Sequence, residues 1–160
     1  MKKEVRLKIR STRYEVEASL FTDDMEYSTE NIVELKDAEP ETVEINTVGH
    51  LTDREGRISV SYEETEVTGM DGSSTEVTFM REDGGIVSMI REGAVSTALV
   101  FEEGKRHHCV YNTPFMPFQV CIHTVKVENR IIEEGYIDLD YIVEIRGAQA
   151  ERTKFRMELL

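Results

Sequence analysis

The sequence predicts an all-β domain, an antiparallel up-and-down meander of strands that closes into a barrel. Apolar and polar side chains alternate in roughly nine or ten separate runs, which is the pattern of half-buried strands. Short turns rich in glycine and aspartate separate the runs at intervals of roughly 8–14 residues. Because so many strands rarely remain one open sheet, closure into a barrel is the first prediction and a sandwich is the second.

The N-terminal part of the chain begins with a predicted strand at residues 3–10, which alternates apolar and basic side chains from Val5 onward. Further along, the apolar set changes parity and starts again at Tyr14. A shift of one residue within a strand is typical of a β-bulge, so a bulge or bend is predicted at residues 11–13. Residues 21–40 are predicted to pass over one end or edge of the sheet.

The remaining strands follow one another through short connections. They are predicted at residues 41–49, 57–68, 74–80, 86–91, 95–101, 107–113, 118–127, 131–146 and 151–159. Glycine-containing turns are predicted at residues 53–56, 70–73 and 82–85, and a bend at Gly135. Residues 114–117 form a tight corner between two prolines.

The charge of the chain limits its expected partners. Its formal net charge is -13, with 32 acidic against 19 basic residues. Such a surface repels phosphate backbones and anionic lipid, so neither nucleic acid nor a membrane is an expected partner. No apolar run approaches the roughly 20 residues that span a bilayer, and the first residues lack the apolar core of a signal peptide.

The cysteine content indicates a reducing compartment. Cys109 and Cys121 are too few for a disulfide framework in a chain of 160 residues. We therefore expect a single cytoplasmic domain over residues 1–160, with reduced thiols and no cofactor.

Several short motifs occur in a defined order along the chain. They are Tyr62-Glu63-Glu64-Thr65-Glu66, Thr68-Gly69, Arg91-Glu92-Gly93, residues 101–107 (FEEGKRH), Tyr111-Asn112-Thr113-Pro114 and Thr124. Over residues 41–160 and the first strand, the chain resembles the YwiB-like family of bacterial proteins, which carry these motifs in the same order. The resemblance implies a cytosolic calycin-like, lipocalin-type β-barrel of unknown biochemical function. The chain departs from the family in a longer segment before residue 41 and in Phe115-Met116, which replaces an expected Tyr-Gly; both positions would lie at the barrel rim.

Two glutamates indicate where a ligand would bind. Glu64 and Glu66 continue the parity of the apolar positions that end at Tyr62. If this face points inward, the carboxylates need partners, because burying an unpaired charge is costly. The predicted lining of a small-ligand site is Tyr62, Glu64, Arg91, Arg106, His107, Tyr111 and Thr124. The alternative is that a twist after Tyr62 turns the glutamates to solvent, or that the ion pairs are only structural.

A second cluster contains two cysteines and two histidines. A hairpin centred near Phe115 would set Cys109 opposite Cys121 and His107 opposite His123, with all four on one face. Zinc accepts this ligand set. Closing a tetrahedral site across a flat ladder is difficult, however, and neither pair has a CxxC turn. The sequence therefore predicts no metal site, but small buried thiols and partly exposed imidazoles.

The leading functional hypothesis is binding of a small, partly apolar molecule inside the barrel or at its mouth. No GxSxG nucleophile motif is present, and the glycine pairs lie in hairpin turns, so no catalytic residues are assigned and an enzyme is not expected. One alternative is a protein-interaction module or homodimer that uses an acidic face or an open edge strand. Another is an enzyme with Glu64 as general acid or base beside His107 or Tyr111.

Overall fold

The structure is a computed structural model that describes residues 1–16, 40–68, 72–145 and 150–160. Within these ranges the chain forms ten β-strands. They are β1 (Lys2–Val16), β2 (Glu41–Arg54), β3 (Arg57–Glu63), β4 (Ser74–Met80), β5 (Asp83–Glu92), β6 (Ser96–Glu102), β7 (Arg106–Asn112), β8 (Pro117–Arg130), β9 (Tyr136–Ile145) and β10 (Ala150–Leu159). The predicted excursion at residues 21–40 lies outside the described residues apart from Pro40, and most of the predicted turn at residues 70–73 is likewise outside them.

The strands close into an antiparallel barrel in meander order. Each strand pairs with its neighbours along the chain, and β1 also pairs with β10 from Leu7–Leu159 to Val16–Ala150. The predicted all-β barrel is confirmed and the sandwich alternative is wrong. Pairing of the first strand with the last removes the edges that an open sheet would expose.

β1 continues through residues 11–13 without a bulge, contrary to the prediction. Its pairing with both β2 and β10 is continuous over this stretch. Ser11 and Arg13 therefore remain on the inner face with Ile9, while Tyr14 lies on the outer face beneath two cationic side chains of β10. The apolar residues change parity in the sequence because the inward-facing residues at this end of the barrel, Ser11 and Arg13, are polar.

Three other local features differ from the predictions or sharpen them. The pairing shifts register between Phe79 and Met80 and between Thr124 and Lys126. The strand predicted at residues 57–68 ends at Glu63 and is followed by a 3-10 helix, Glu66–Thr68.

A short helix interrupts the stretch predicted as one strand at residues 131–146. Its single turn, α1 (Ile131–Glu134), is capped by Gly135 with φ of 79°, a left-handed conformation that glycine adopts without strain. The predicted bend at Gly135 is therefore confirmed as a helix cap. Within the described ranges, none of the helices is long and apolar enough to cross a membrane.

Apolar side chains from opposite walls pack the middle of the barrel. Leu7, Val60, Met89, Leu99 and Phe101 are each no more than 2% exposed. Close packing of this kind is the main stabilising term of a domain of this size.

The pairing between β6 and β7 is much shorter than the strands themselves. These strands pair only at Ser96–Asn112 and Thr97–Tyr111, at one end of the barrel. Further along, the backbone of Glu102 and of the following turn binds Thr124 of β8. The wall of the barrel therefore has a seam between β6 and β7.

Candidate ligand-binding site

A row of inward-facing side chains crosses five strands near one end of the barrel. The register pairs Tyr62 with Thr75, Thr75 with Arg91, Arg91 with Thr97 and Thr97 with Tyr111. Directly paired residues project to the same side of a sheet, so all five share the inner face. We call this the Arg91 end of the barrel, formed by the last residues of β1, β3, β5, β7 and β9, and its opposite the Arg106 end.

Glu64 lies immediately after β3 and turns into this end of the barrel. Its backbone N–H donates to the carbonyl oxygen of Ser73 at 2.8 Å, which extends the β3–β4 pairing and orients the residue. Its side chain is 1% exposed. The hydroxyl of Thr75 donates to Glu64 Oε1 at 2.6 Å. Glu64 Oε2 is buried and has no hydrogen-bond partner among the residues that the structure describes.

Arg91 forms an ion pair with this carboxylate at a distance beyond hydrogen-bond reach. Arg91 Nε lies 3.9 Å from Glu64 Oε1 and donates to the hydroxyl of Thr75 at 3.4 Å. Thr75 therefore lies between the two charges. Burial disfavours the charged form of Arg91, but the surrounding tyrosines and Glu64 outweigh burial and raise the pKa of the guanidinium.

Three tyrosines surround Arg91. Burial raises the pKa of Tyr62, and the nearby Glu64 carboxylate raises it further. Burial likewise raises the pKa of Tyr111, to about 12, and the pKa of Tyr141. All three phenols are therefore protonated at neutral pH and can donate hydrogen bonds.

Two cavities open at the Arg91 end, and Arg13 and Arg91 line both. The first, of about 190 Å³, is lined on its polar side by Tyr62, Glu64 and the two arginines. The second, of about 380 Å³, extends towards Tyr111 and across to β9 and β10. We call the first the Glu64 cavity, because it contains the buried carboxylate.

The structure brings four of the seven predicted lining residues together and separates the other three. Tyr62, Glu64, Arg91 and Tyr111 lie at the Arg91 end, as described above. Arg106, His107 and Thr124 lie around the β6–β7 turn towards the Arg106 end. There Thr124 Oγ1 accepts a hydrogen bond from the Glu102 backbone N–H at 3.3 Å, and His107 Nε2 lies 3.4 Å from Glu102 Oε1. Thr124 and His107 therefore contact the turn, and Arg106 is the first residue of β7 after it.

The register considered for a metal site does not occur. Cys109 pairs with Val120 and His107 pairs with Ile122, so Cys121 and His123 project to the other face of the sheet. The cause is the β7–β8 corner, in which the Thr113 hydroxyl donates to the Met116 carbonyl oxygen at 2.7 Å and fixes a four-residue loop. No group of three or more potential metal ligands occurs among the described residues.

Sequence interpretation missed three residues that shape the site: Arg13, Thr75 and Tyr141. Arg13 and Val5 are both odd-numbered residues of β1. Uninterrupted alternation along this strand would therefore have predicted that Arg13 faces the barrel interior. Thr75 is 0% exposed and Tyr141 is 4% exposed, although both belong to types that are often at the surface. Only their pairing partners, Tyr62 and Thr153, place them at this end.

The fold and the site together define a closed antiparallel β-barrel with a polar cavity at one end. The chain belongs to the family described as the domain of unknown function DUF1934, whose model matches residues 25–157. The crystal structure of the YwiB protein from Bacillus subtilis is similar to this chain, with 18% sequence identity and a TM-score of 0.66. The similarity covers 98% of this chain and 93% of that chain, which shows a shared fold and confirms the resemblance to YwiB-like proteins. No curated protein matches the chain.

Proposed function

We propose that this protein binds a small molecule in the Glu64 cavity, at the mouth of the barrel. The observation that carries the proposal is Glu64 Oε2, a buried carboxylate oxygen with no hydrogen-bond partner among the described residues. Leaving such an acceptor unsatisfied costs on the order of 1–3 kcal/mol, and more when the group is charged. A ligand that donates a hydrogen bond to this oxygen would recover that free energy on binding.

The walls of the cavity suit a small organic ligand. Ile9, Val43, Ile45 and Phe155 contribute an apolar part of the lining beside the polar groups. A water molecule occupies about 30 Å³ in the liquid, so a cavity of about 190 Å³ is much larger than a single-water void. Apolar walls with a few convergent polar groups are typical of ligand sites.

The proposal places the ligand at the mouth and not in the middle of the barrel. The packed side chains of Leu7, Val60 and Phe101 occupy the middle. The ring of Phe101 also contacts that of Tyr141, which lines the second cavity, with 4.5 Å between ring centroids. The proposed ligand therefore contacts the groups around Arg91 and not the packed middle of the barrel.

Two measurements test the proposal. Native mass spectrometry of freshly purified protein should reveal any molecule that co-purifies. A two-dimensional NMR screen with small polar fragments should then shift the backbone amides of Tyr62, Glu64 and Arg91. Shifts confined to the outer surface, with no co-purified molecule, would contradict a binding site in this cavity.

A cavity-filling variant supplies the matched comparison. Ser11 lines the Glu64 cavity, and Ser11→Leu adds an apolar side chain inside it. Ser88 lies on β5, where the next residue, Met89, is fully buried, so Ser88 projects outward. We expect Ser11→Leu to abolish the fragment shifts and Ser88→Leu to leave them unchanged.

The proposal also places the protein in the cytoplasm. Its support is the cysteine content, since two cysteines, both free, are too few for the disulfide framework typical of a secreted domain. Cell fractionation tests this location, and recovery of the protein outside the cytoplasmic fraction would contradict it.

A further inference from the structure

We infer that the Glu64 cavity takes a small organic cation, a primary ammonium group on a short apolar stem. This inference rests on the proposed function and adds the chemical class of the ligand. It assigns the ammonium group to Glu64 Oε2 and the stem to the apolar wall of Ile9, Val43 and Ile45.

The first argument is hydrogen bonding at Glu64. An ionised carboxylate only accepts hydrogen bonds, so its partner must be a donor. Oε1 already accepts from Thr75, whereas Oε2 has no partner among the described residues. An ammonium group brings three donors and a positive charge, and charge-assisted hydrogen bonds are about twice as strong as neutral ones.

The second argument is the charge around the cavity. Its described lining contains three carboxylates, from Glu41, Glu64 and Glu66, and the two guanidiniums of Arg13 and Arg91. An anion bound to Arg91 would lie beside the Glu64 carboxylate and would be repelled by it. A cation at Oε2 also has the Arg91 guanidinium nearby, but the described lining carries three carboxylates against two guanidiniums, and the net charge of -13 favours the approach of cations.

The third argument is the apolar part of the lining. Ile9 of β1, Val43 and Ile45 of β2 and Phe155 of β10 form it, whereas Glu64 and Arg91 come from the end of β3 and from β5. An aliphatic stem of about four carbons placed against this wall would bury its CH₂ groups, each worth roughly 0.8 kcal/mol in free energy in general. The combination of one buried acceptor and one apolar wall therefore selects an alkyl ammonium over a fully polar cation.

Three probes of the same length test the ligand class: n-butylammonium, n-butanol and n-butyrate. Each is titrated at neutral pH to about 50 mM, above the millimolar Kd expected of so small a ligand. We expect n-butylammonium to shift the amides of Tyr62, Glu64 and Arg91 saturably. We expect n-butyrate to leave these amides unchanged and n-butanol to bind at least tenfold more weakly than the amine.

Variants identify the group that binds the ammonium. We expect Glu64→Gln to weaken n-butylammonium binding at least tenfold, because it removes the charge at the buried acceptor. Glu63→Gln is the matched control, since Glu63 is the preceding residue and is exposed; it should change the affinity less than about twofold. Should Glu64→Gln fail to fold, Ser11→Leu decides the matter, because it blocks the cavity and leaves Glu64 in place.

The outcomes separate the two proposals. Saturable shifts with n-butyrate and none with n-butylammonium would overturn the cationic class and leave the binding site standing. An unchanged affinity of Glu64→Gln, or of Ser11→Leu, for n-butylammonium would also overturn the inference. If none of the three probes shifts the amides of the Glu64 cavity, the inference and the proposed function both fail.

Discussion

Thr75 separates Glu64 from Arg91: its hydroxyl donates to Glu64 Oε1 at 2.6 Å and accepts from Arg91 Nε at 3.4 Å. The two charges lie 3.9 Å apart on either side of this hydroxyl. A direct guanidinium–carboxylate pair would use both carboxylate oxygens. Here Thr75 and Arg91 both approach Oε1, and Oε2 has no hydrogen-bond partner within the part of the chain that the structure describes.

We predict that Thr75→Val destabilises the protein by about 1.5–3 kcal/mol, because it removes a hydrogen bond to a buried charged group at nearly constant side-chain volume. Urea unfolding measures the change in the free energy of unfolding. Thr97→Val is the matched control. Thr97 is buried on β6, two strands after the β4 strand of Thr75. Its hydroxyl has no hydrogen-bond partner among the described residues. Equal losses in the two variants would show that the Thr75–Glu64 bond contributes nothing specific.

We predict that stability decreases as the pH rises from about 10 to about 12, partly through Tyr111. The pKa of Tyr111 is raised from 10.0 to about 12. Between these values the unfolded chain loses the phenolic proton and the folded chain keeps it, so deprotonation favours unfolding. The stabilisation is complete below the unfolded pKa and is lost as the pH rises through the folded pKa.

Unfolding curves of Tyr111→Phe and of the natural chain, compared across this pH range, measure the effect. The variant should show a shallower decrease in stability above pH 10, because phenylalanine does not ionise. Parallel pH profiles for the two proteins would contradict the assignment to Tyr111.

We predict that Gly49→Ala destabilises the barrel by about 1–3 kcal/mol through overpacking. A Cβ atom at Gly49 would lie 2.3 Å from the carbonyl oxygen of Ser61 and 2.6 Å from Leu7 Cδ1, so the β2–β3 backbones would have to move apart. Gly85→Ala is the control, since a Cβ there makes only an ordinary contact of 3.5 Å with an Asp83 oxygen. Thermal unfolding compares the two variants, and a Gly49→Ala protein as stable as Gly85→Ala would refute the steric explanation.

We predict that the β6–β7 seam exchanges its amide protons faster than the rest of the barrel wall. Register pairing there is confined to residues 96–97 with 111–112, whereas β1 and β2 pair from Lys2–Thr52 to Arg13–Glu41. Amides without a stable cross-strand acceptor open more readily. Native-state hydrogen exchange should therefore show less protection at the amides of residues 98–101 and 106–110 that point towards the seam than in β1 and β2, and uniform protection would rule out a weak seam.

Alternation and turn residues by themselves determined the strands and their order in the meander. Val5, Leu7 and Ile9 are inside as their spacing predicts, and the turn at residues 53–56 joins β2 to β3. These features are local, because an alternation of side chains with a period of two and a glycine-containing turn can each be recognised within a few residues of sequence. Glu64, Arg91, Tyr62 and Tyr111 could be selected for the same reason, as polar residues on strand faces that are otherwise apolar.

Only the tertiary structure decided which of these residues meet. Arg106, His107 and Thr124 have equally suitable chemistry, but they surround the β6–β7 turn, away from Arg91. The position of a residue along the barrel axis depends on the register of every strand. At the Thr113 corner the register differs by one residue from the predicted one, and this difference places Cys109 and Cys121 on opposite faces of the sheet. Arg13 belongs to the site because closure of the barrel brings β1 across from β5. These strands are far apart in sequence, so no local pattern predicts that they meet.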